Sequence, residues 1–97
     1  MSVTVLFEAP VKPKEITNLV TSLANLLPES RKYEGCEGMD VYFNTEDKGR
    51  MVMIEKWASR AHHEKYLAWR TETGVMEKLG SMLAGPPSIR YFERVDA

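Results

Sequence analysis

The chain has 97 residues and a mass of 11.1 kDa, enough for one domain but not for two that each bury a core. Hydrophobic residues make up 43% and charged residues 28%, which excludes a disordered or collagen-like chain. The net charge of −1 and a pI of about 6.1 give no electrostatic footprint for nucleic acid or an anionic membrane. Apolar runs such as Val5-Leu6-Phe7 fall far short of the roughly 20 residues of a membrane span. No charged N-terminal region leads into a long apolar stretch, so no secretory signal is expected. A single cysteine, Cys36, excludes an intrachain disulfide and an all-cysteine metal site. The expectation is a soluble, cytoplasmic protein with residues 1–97 as one domain.

Ser2–Ala9 is rich in β-branched and aromatic residues and reads as the first strand, closed by Pro10. Pro13 suits the first turn of a helix. Ile16, Leu19, Val20, Leu23, Leu26 and Leu27 then recur at three- and four-residue steps, predicting a one-faced amphipathic helix that ends before Pro28. Pro28–Gly38 reads as a loop and Met39–Thr45 as the second strand. The polar turn Asn44-Thr-Glu-Asp-Lys-Gly49 leads to a third strand, Arg50–Trp57, which predicts a hairpin. Ser59 is a good N-cap for a helix from Arg60 to about Thr73. Gly74 interrupts it, and Val75, Met76, Leu79, Met82 and Leu83 mark a further short helix stopped by Gly85-Pro86-Pro87. Ser88–Val95 is the last strand.

The order β-α-β-β-α-β is the α+β, ferredoxin-like arrangement: a four-stranded antiparallel sheet with right-handed crossovers placing both helices on one face. The strands nevertheless carry large apolar groups on both faces. Strand three has Met51, Met53 and Trp57 on one side and Val52 and Ile54 on the other; strand one sets Val3, Val5 and Phe7 against Leu6. Each such side chain is worth roughly 1.5–3 kcal/mol when buried. A second copy covering the uncovered face, a two-fold homodimer, is therefore expected.

On the second helix His62, Tyr66, Trp69 and Thr73 follow at steps of four, three and four, and every member has a polar atom. Such a face suits the edge of a pocket, or rings packed on the sheet with their polar tips at the rim. His62 and His63 adjoin, so they diverge by about a quarter turn and cannot form the i, i+4 zinc pair. Either could serve as an acid or base, since histidine titrates near neutrality. No metal-ligand spacing, phosphate-cradling glycine loop or Gly-x-Ser-x-Gly elbow occurs; Glu34-Gly-Cys-Glu-Gly38 lacks the lysine and the preceding strand. Cys36 lies between acidic residues, which disfavour a thiolate. Met51, Met53, Met76 and Met82 are expected in the core and dimer interface, where the flexible thioether also suits an adaptable pocket wall. Arg90 and Arg94 share one face of the last strand and read as partners in surface or inter-subunit ion pairs.

Three stretches together resemble a known family: Tyr33-Glu-Gly-Cys-Glu-Gly-Met-Asp-Val-Tyr42, then Met53-Ile-Glu-Lys-Trp-Ala-Ser59, then Ala84-Gly-Pro-Pro-Ser-Ile-Arg-Tyr-Phe-Glu93. This pattern is similar to the antibiotic biosynthesis monooxygenase family, with Glu55, Trp57 and Ser59 its most specific piece. The resemblance implies a dimeric α+β barrel. It also implies one of several activities: cofactor-independent oxygenation of quinols or polyketide-like aromatics, haem degradation, or isomerisation of a signalling sugar. The places that the haem-degrading branch fills with asparagine, tryptophan and histidine fall near Leu6, Tyr66 and Met76, so the resemblance does not extend to haem degradation. Many members carry histidine where this chain has Tyr66; His62, one turn earlier, is the candidate substitute.

The expectation is thus a monooxygenase of a small hydroxylated aromatic or quinol that uses no cofactor and no metal. A deprotonated substrate gives an electron directly to oxygen, so the protein needs a dry pocket, a base and donors for developing charge. His62, Tyr66 and Trp69 are the candidate catalytic residues. Phe7, Trp57 and Met76 are the candidate walls for an aromatic ligand. Two alternatives stand beside it: a non-catalytic small-molecule-binding or stress-related module, and an isomerase of a small carbonyl or sugar compound, which would require a wetter pocket.

Overall fold

The computed structural model describes residues 2–97, and its first strand, β1 (Val3–Pro10), runs through the middle of a four-stranded antiparallel sheet of order β2-β3-β1-β4. Alternation decides what that strand does. Val3, Val5, Phe7 and Ala9 are buried, while Thr4, Leu6, Glu8 and Pro10 are half-buried on the other face. Pairing aligns the inner residues of β3 (Arg50–Trp57) with them: Val3 opposes Trp57, Val5 opposes Glu55, Phe7 opposes Met53 and Ala9 opposes Met51. On the other side β4 (Ser88–Phe92) sets Tyr91 opposite Val5 and Ile89 opposite Phe7. The inner face therefore carries a carboxyl group, Glu55, in the middle of an otherwise apolar layer. The α+β ferredoxin-like order expected above is the one observed.

A 3-10 turn at Pro13–Glu15 opens α1 (Ile16–Arg31). Leu19, Leu23 and Leu27 recur every four residues and bury one stripe against the sheet. The helix does not stop before Pro28 but passes through it for one further turn. Proline removes the bond to the carbonyl of Ala24, which is exposed and free to meet water. The extra turn is held from outside, because Ser30 is fully buried against α2 (Arg60–Glu72). Tertiary bonding here overrides a local stop signal.

Strand β2 spans Cys36–Phe43; it begins earlier than the expected Met39 because a bulge between Cys36 and Gly38 extends its pairing to Trp57, and it ends before the expected Thr45 because Asn44 already belongs to the hairpin loop. Asn44 closes the hairpin loop by accepting the backbone N–H groups of Glu46 and Asp47 at 2.8 and 2.9 Å. Ser59 caps α2 as expected, its Oγ accepting the His62 N–H at 3.2 Å. Gly74, at φ +80°, separates α2 from α3 (Val75–Gly80), which ends sooner than the expected Leu83. The strand expected to reach Val95 ends at Phe92. Among the described residues no helix is long and apolar enough to cross a membrane.

All the helices lie over one face. Met51, Met53 and Met82 are in the core beneath them, not on the open face. That open face exposes Ile54 (39%), Phe92 (43%) and Tyr42 (52%), with Leu6 and Val52 half-buried between them. Glu8 bridges its rows, meeting Arg50 at 3.5 Å and Arg90 at 3.3 Å. These exposed pairs add little stability.

The turn from α1 into β2 depends on Gly35, whose φ of +89° suits the third position of the Tyr33–Cys36 turn. A Cβ there would overlap the His62 ring. Gly35→Ala is expected to destabilise the protein by about 2–4 kcal/mol, because it combines strain with a clash. Denaturant unfolding of the variant beside Gly74→Ala, which meets no neighbouring atom within 4 Å, checks it: Gly35→Ala must cost more.

Candidate active site

Between the inner face of the sheet and helices α1, α2 and α3 lies a cavity of about 30 Å³, room for one or two water-sized molecules. Phe7, Met39 and Met53 form its floor. Leu23, Leu26 and Leu27 wall it from α1, and Val75, Met76 and Leu79 from α3. Four polar side chains interrupt this lining: Ser30, Glu55, Tyr66 and Arg70.

Three of the four form one network. The Tyr66 hydroxyl lies 2.7 Å from Ser30 Oγ, and Arg70 donates to both, through Nε to Tyr66 Oη at 3.2 Å and through Nη2 to Ser30 Oγ at 2.7 Å. Arg70 also donates to the Leu26 carbonyl at 3.2 Å and to Glu29 at 3.1 Å. A guanidinium only 3% exposed is tolerated because each of its three nitrogens donates to oxygen. Tyr66 and Arg70 meet through the i, i+4 spacing of α2.

Glu55 is the fourth. It is 2% exposed, and the Trp57 indole N–H donates to its Oε1 at 2.9 Å. Alternation along β3 puts both side chains on the same face, two residues apart. His63, 1% exposed, stands with Nε2 3.6 Å from the same oxygen, longer than a hydrogen bond. Its Nδ1 is 2.7 Å from the Tyr91 hydroxyl. Burial lifts the Glu55 carboxyl to a pKa of about 7, against the opposing pull of the Trp57 N–H. Burial likewise lowers His63 to about 4. At neutral pH the two face each other as a half-ionised acid and a neutral imidazole.

Of the candidate residues read from sequence, Tyr66, Phe7 and Met76 come together on the cavity. Trp57 does not line it; it lies beneath Tyr66, ring centroids 4.9 Å apart, and bonds Glu55. Trp69 stacks on Tyr33 at 5.0 Å with the Arg70 guanidinium over its ring at 4.3 Å. His62 turns away to the helix start, where Nδ1 meets Ser59 Oγ at 2.7 Å and the ring covers Gly35. The inward face of α2 is His63, Tyr66 and Arg70, rotated from the His62–Tyr66–Trp69–Thr73 row, and Thr73 is exposed. Sequence reasoning weighed His63 as an acid or base but chose His62, and it did not place Glu55, Arg70, Ser30 or Tyr91 at the site. The signal for Glu55 was present: an acid at an inward position of a strand whose other inward residues are apolar. Cys36 has its thiol pKa raised, by burial first and with Glu55 and Glu37 adding to it. Among the described residues no three His, Cys, Asp or Glu side chains converge as a metal site.

Stability follows from the two buried titrations. Glu55 has its pKa raised from 4.5 to about 7, so stability is lost as pH rises through that window. His63 is lowered from 6.5 to about 4, so stability is lost as pH falls through that one. The two oppose each other between the windows' overlapping limits, leaving net losses at either side. Glu55→Gln is expected to be the more stable protein at pH 8 by about 2 kcal/mol and close to wild type near pH 5. Urea unfolding at the two pH values measures this; equal stability at pH 8 would contradict the burial of an ionising carboxyl.

The antibiotic biosynthesis monooxygenase family model matches residues 2–71, a span that holds Glu55, Trp57, His63, Tyr66 and Arg70. Among solved structures, a conserved protein from Methanosarcina mazei Go1 superposes with a TM-score of 0.88 at 20% identity, over 98% of this chain and 94% of that one. A structure described as an antibiotic biosynthesis monooxygenase gives 0.86 at 20% identity, over 97% and 99%. Rv0793 from Mycobacterium tuberculosis gives 0.85 at 20% identity, over 100% and 98%. At such identities these likenesses establish the fold. Comparison with curated proteins finds no match. With the family model spanning β1 to α2 and the same topology in these structures, this chain belongs to the antibiotic biosynthesis monooxygenase family.

Proposed function

We propose that the protein is a monooxygenase of a small hydroxylated aromatic or quinol, working without a bound cofactor, with Glu55 as its base. The supporting observation is a buried carboxyl with a pKa near 7 on a largely apolar cavity that also holds Tyr66 and Arg70. A base is most effective when its pKa lies near the working pH. Glu55 takes a proton from the substrate, and the resulting anion passes an electron to dioxygen. The radical pair joins as a peroxide at a ring carbon that still bears hydrogen. Loss of water leaves a carbonyl, so one oxygen atom enters the product and the other departs with two substrate hydrogens. Tyr66 and Arg70 supply donors for the developing oxyanion.

Tyr66, Phe7 and Met76 keep the roles expected of them, donor and walls. In this reading His62 and Trp69 serve the fold: one completes a helix cap and the other stacks on Tyr33. The cavity has room for dioxygen or water, so an aromatic ring enters in this reading by displacing α3, a short helix that follows Gly74 and faces the cavity with Met76, whose unbranched thioether adapts readily. The hydrogen bonds that already occupy Arg70 and Tyr66 support a second reading, a module that binds such ligands without turning them over.

Oxygen uptake with a panel of quinols separates the two. Turnover should rise with pH through about 7 as Glu55 ionises. Glu55→Gln should lower it by about 10²–10⁴-fold, whereas His62→Ala should leave most of it. Melting shifts with no uptake by any quinol would favour the binding module. The same proposal includes a homodimer that covers Leu6, Val52, Ile54, Tyr42 and Phe92. Sedimentation is expected to give a dimer at micromolar protein and a monomer for Ile54→Asp; a folded wild-type monomer would remove this part.

A further inference from the structure

We propose that His63 and Tyr91 form a proton relay linking Glu55 to an open groove beside β4. The inference rests on the reading of Glu55 as the base, and it addresses a requirement of that role. A carboxyl 2% exposed can ionise in response to the pH of the solvent only if a path carries its proton out of the core. His63 is placed to take it: one ring nitrogen faces the buried acid at 3.6 Å, and the other lies 2.7 Å from the Tyr91 hydroxyl. Tyr91 is half-buried and lines a groove of about 250 Å³ with Ser59, Arg60 and Glu93. The imidazole thus spans the distance between a dry interior and a wet surface. Its ring is wedged against Trp57 with centroids 5.5 Å apart, a position an apolar side chain could fill if packing were the sole demand.

The transfer balances without a net charge on the ring. Protonated Glu55 gives its proton to Nε2 as the Nδ1 proton passes to the Tyr91 oxygen and the Tyr91 hydroxyl proton passes to groove water. Glu55 is left as carboxylate and His63 in its other neutral tautomer. The 3.6 Å separation closes through rotation of the Glu55 carboxyl, whose terminal torsion is soft. The reverse sequence recharges the acid. The charged groups around the relay are Glu55, Arg60 and Glu64. Arg60 lies over the Tyr91 ring at 4.2 Å and pairs with Glu64 at 3.4 Å, so the two offset each other. Burial raises the Tyr91 pKa and lowers that of His63, so neither holds the charge it passes. His63 and Tyr91 are positioning residues in this scheme, since they act through Glu55.

Two measurements on the intact protein test the relay without a substrate. The first follows the infrared carbonyl band of protonated Glu55, identified by its loss in Glu55→Gln, after a pH jump across neutrality. Wild type should equilibrate about tenfold or more faster than Tyr91→Phe, which keeps the ring and loses the hydroxyl. An equal rate in Tyr91→Phe overturns the relay while leaving Glu55 as the base. Absence of any protonated band across the folded pH range overturns the base reading and the relay with it. The second uses nitrogen-15 spectra of wild-type His63 and needs no variant. The relay requires the ring to carry its proton on Nδ1 while Glu55 is protonated and on Nε2 once Glu55 is ionised. A tautomer that stays fixed through the Glu55 titration overturns it.

Discussion

Glu55 holds its carboxyl in the layer between sheet and helices, where an anion cannot be solvated, and the Trp57 indole N–H is the donor that keeps it there. Burying a carboxylate is so costly that the group shifts its pKa toward the neutral form. The electrostatics of the interior follow from that constraint. The carboxyl reaches neutral pH with both forms present, and it does so on the wall of a cavity whose other surfaces are mainly hydrocarbon. The same desolvation acts in the opposite direction on His63, which stays uncharged beside it. Two side chains that would form an ion pair at a surface stand here as a half-ionised acid beside an uncharged imidazole.

The position of the helices relative to that carboxyl is set by a second buried polar group. Arg70 reaches from α2 to the last turn of α1 and binds Ser30, Glu29 and the Leu26 carbonyl. Removing any one partner would leave a buried donor or acceptor unmet, a penalty of about 1–3 kcal/mol. That is why α1 continues past Pro28: the turn beyond the proline carries the oxygen atoms that Arg70 and Tyr66 require. The network fixes the cavity's roof and also supplies a cationic lining group, Arg70. By contrast α3 follows a left-handed glycine, and its residues Val75 and Met76 are half-buried.

The sheet has a different character on its other side. Glu8, Arg50 and Arg90 form a polar line across three strands, flanked by Tyr42, Val52, Ile54, Leu6 and Phe92. One layer of helices cannot reach both faces of a single sheet, so these groups lie outside the core of the chain. The partly apolar outer surface and the cavity that holds the carboxyl occupy opposite faces of the same strands, so changes on one need not disturb the other.

Local chemistry alone determined the element order, the Ser59 cap, the hairpin loop and the two apolar faces of the sheet. Each is set by residues a few positions apart, which is the range over which period, capping and turn preference operate. The short sequence Glu55-Lys-Trp57-Ala-Ser59 also carried the family resemblance. What it did not contain was the rotation of α2 about its axis. His62 and His63 are neighbours in the chain, and whether the first or the second enters the core depends on where the Ser59 cap and the Gly35 turn seat the helix. That choice moved the inward row to His63, Tyr66 and Arg70. The path of α1 through Pro28 and the protonation of Glu55 were likewise tertiary decisions. Both depend on residues about 40 positions away or on the thickness of the layer above, and no local window contains the partner that satisfies a buried oxygen or the absence of water that raises a carboxyl's pKa.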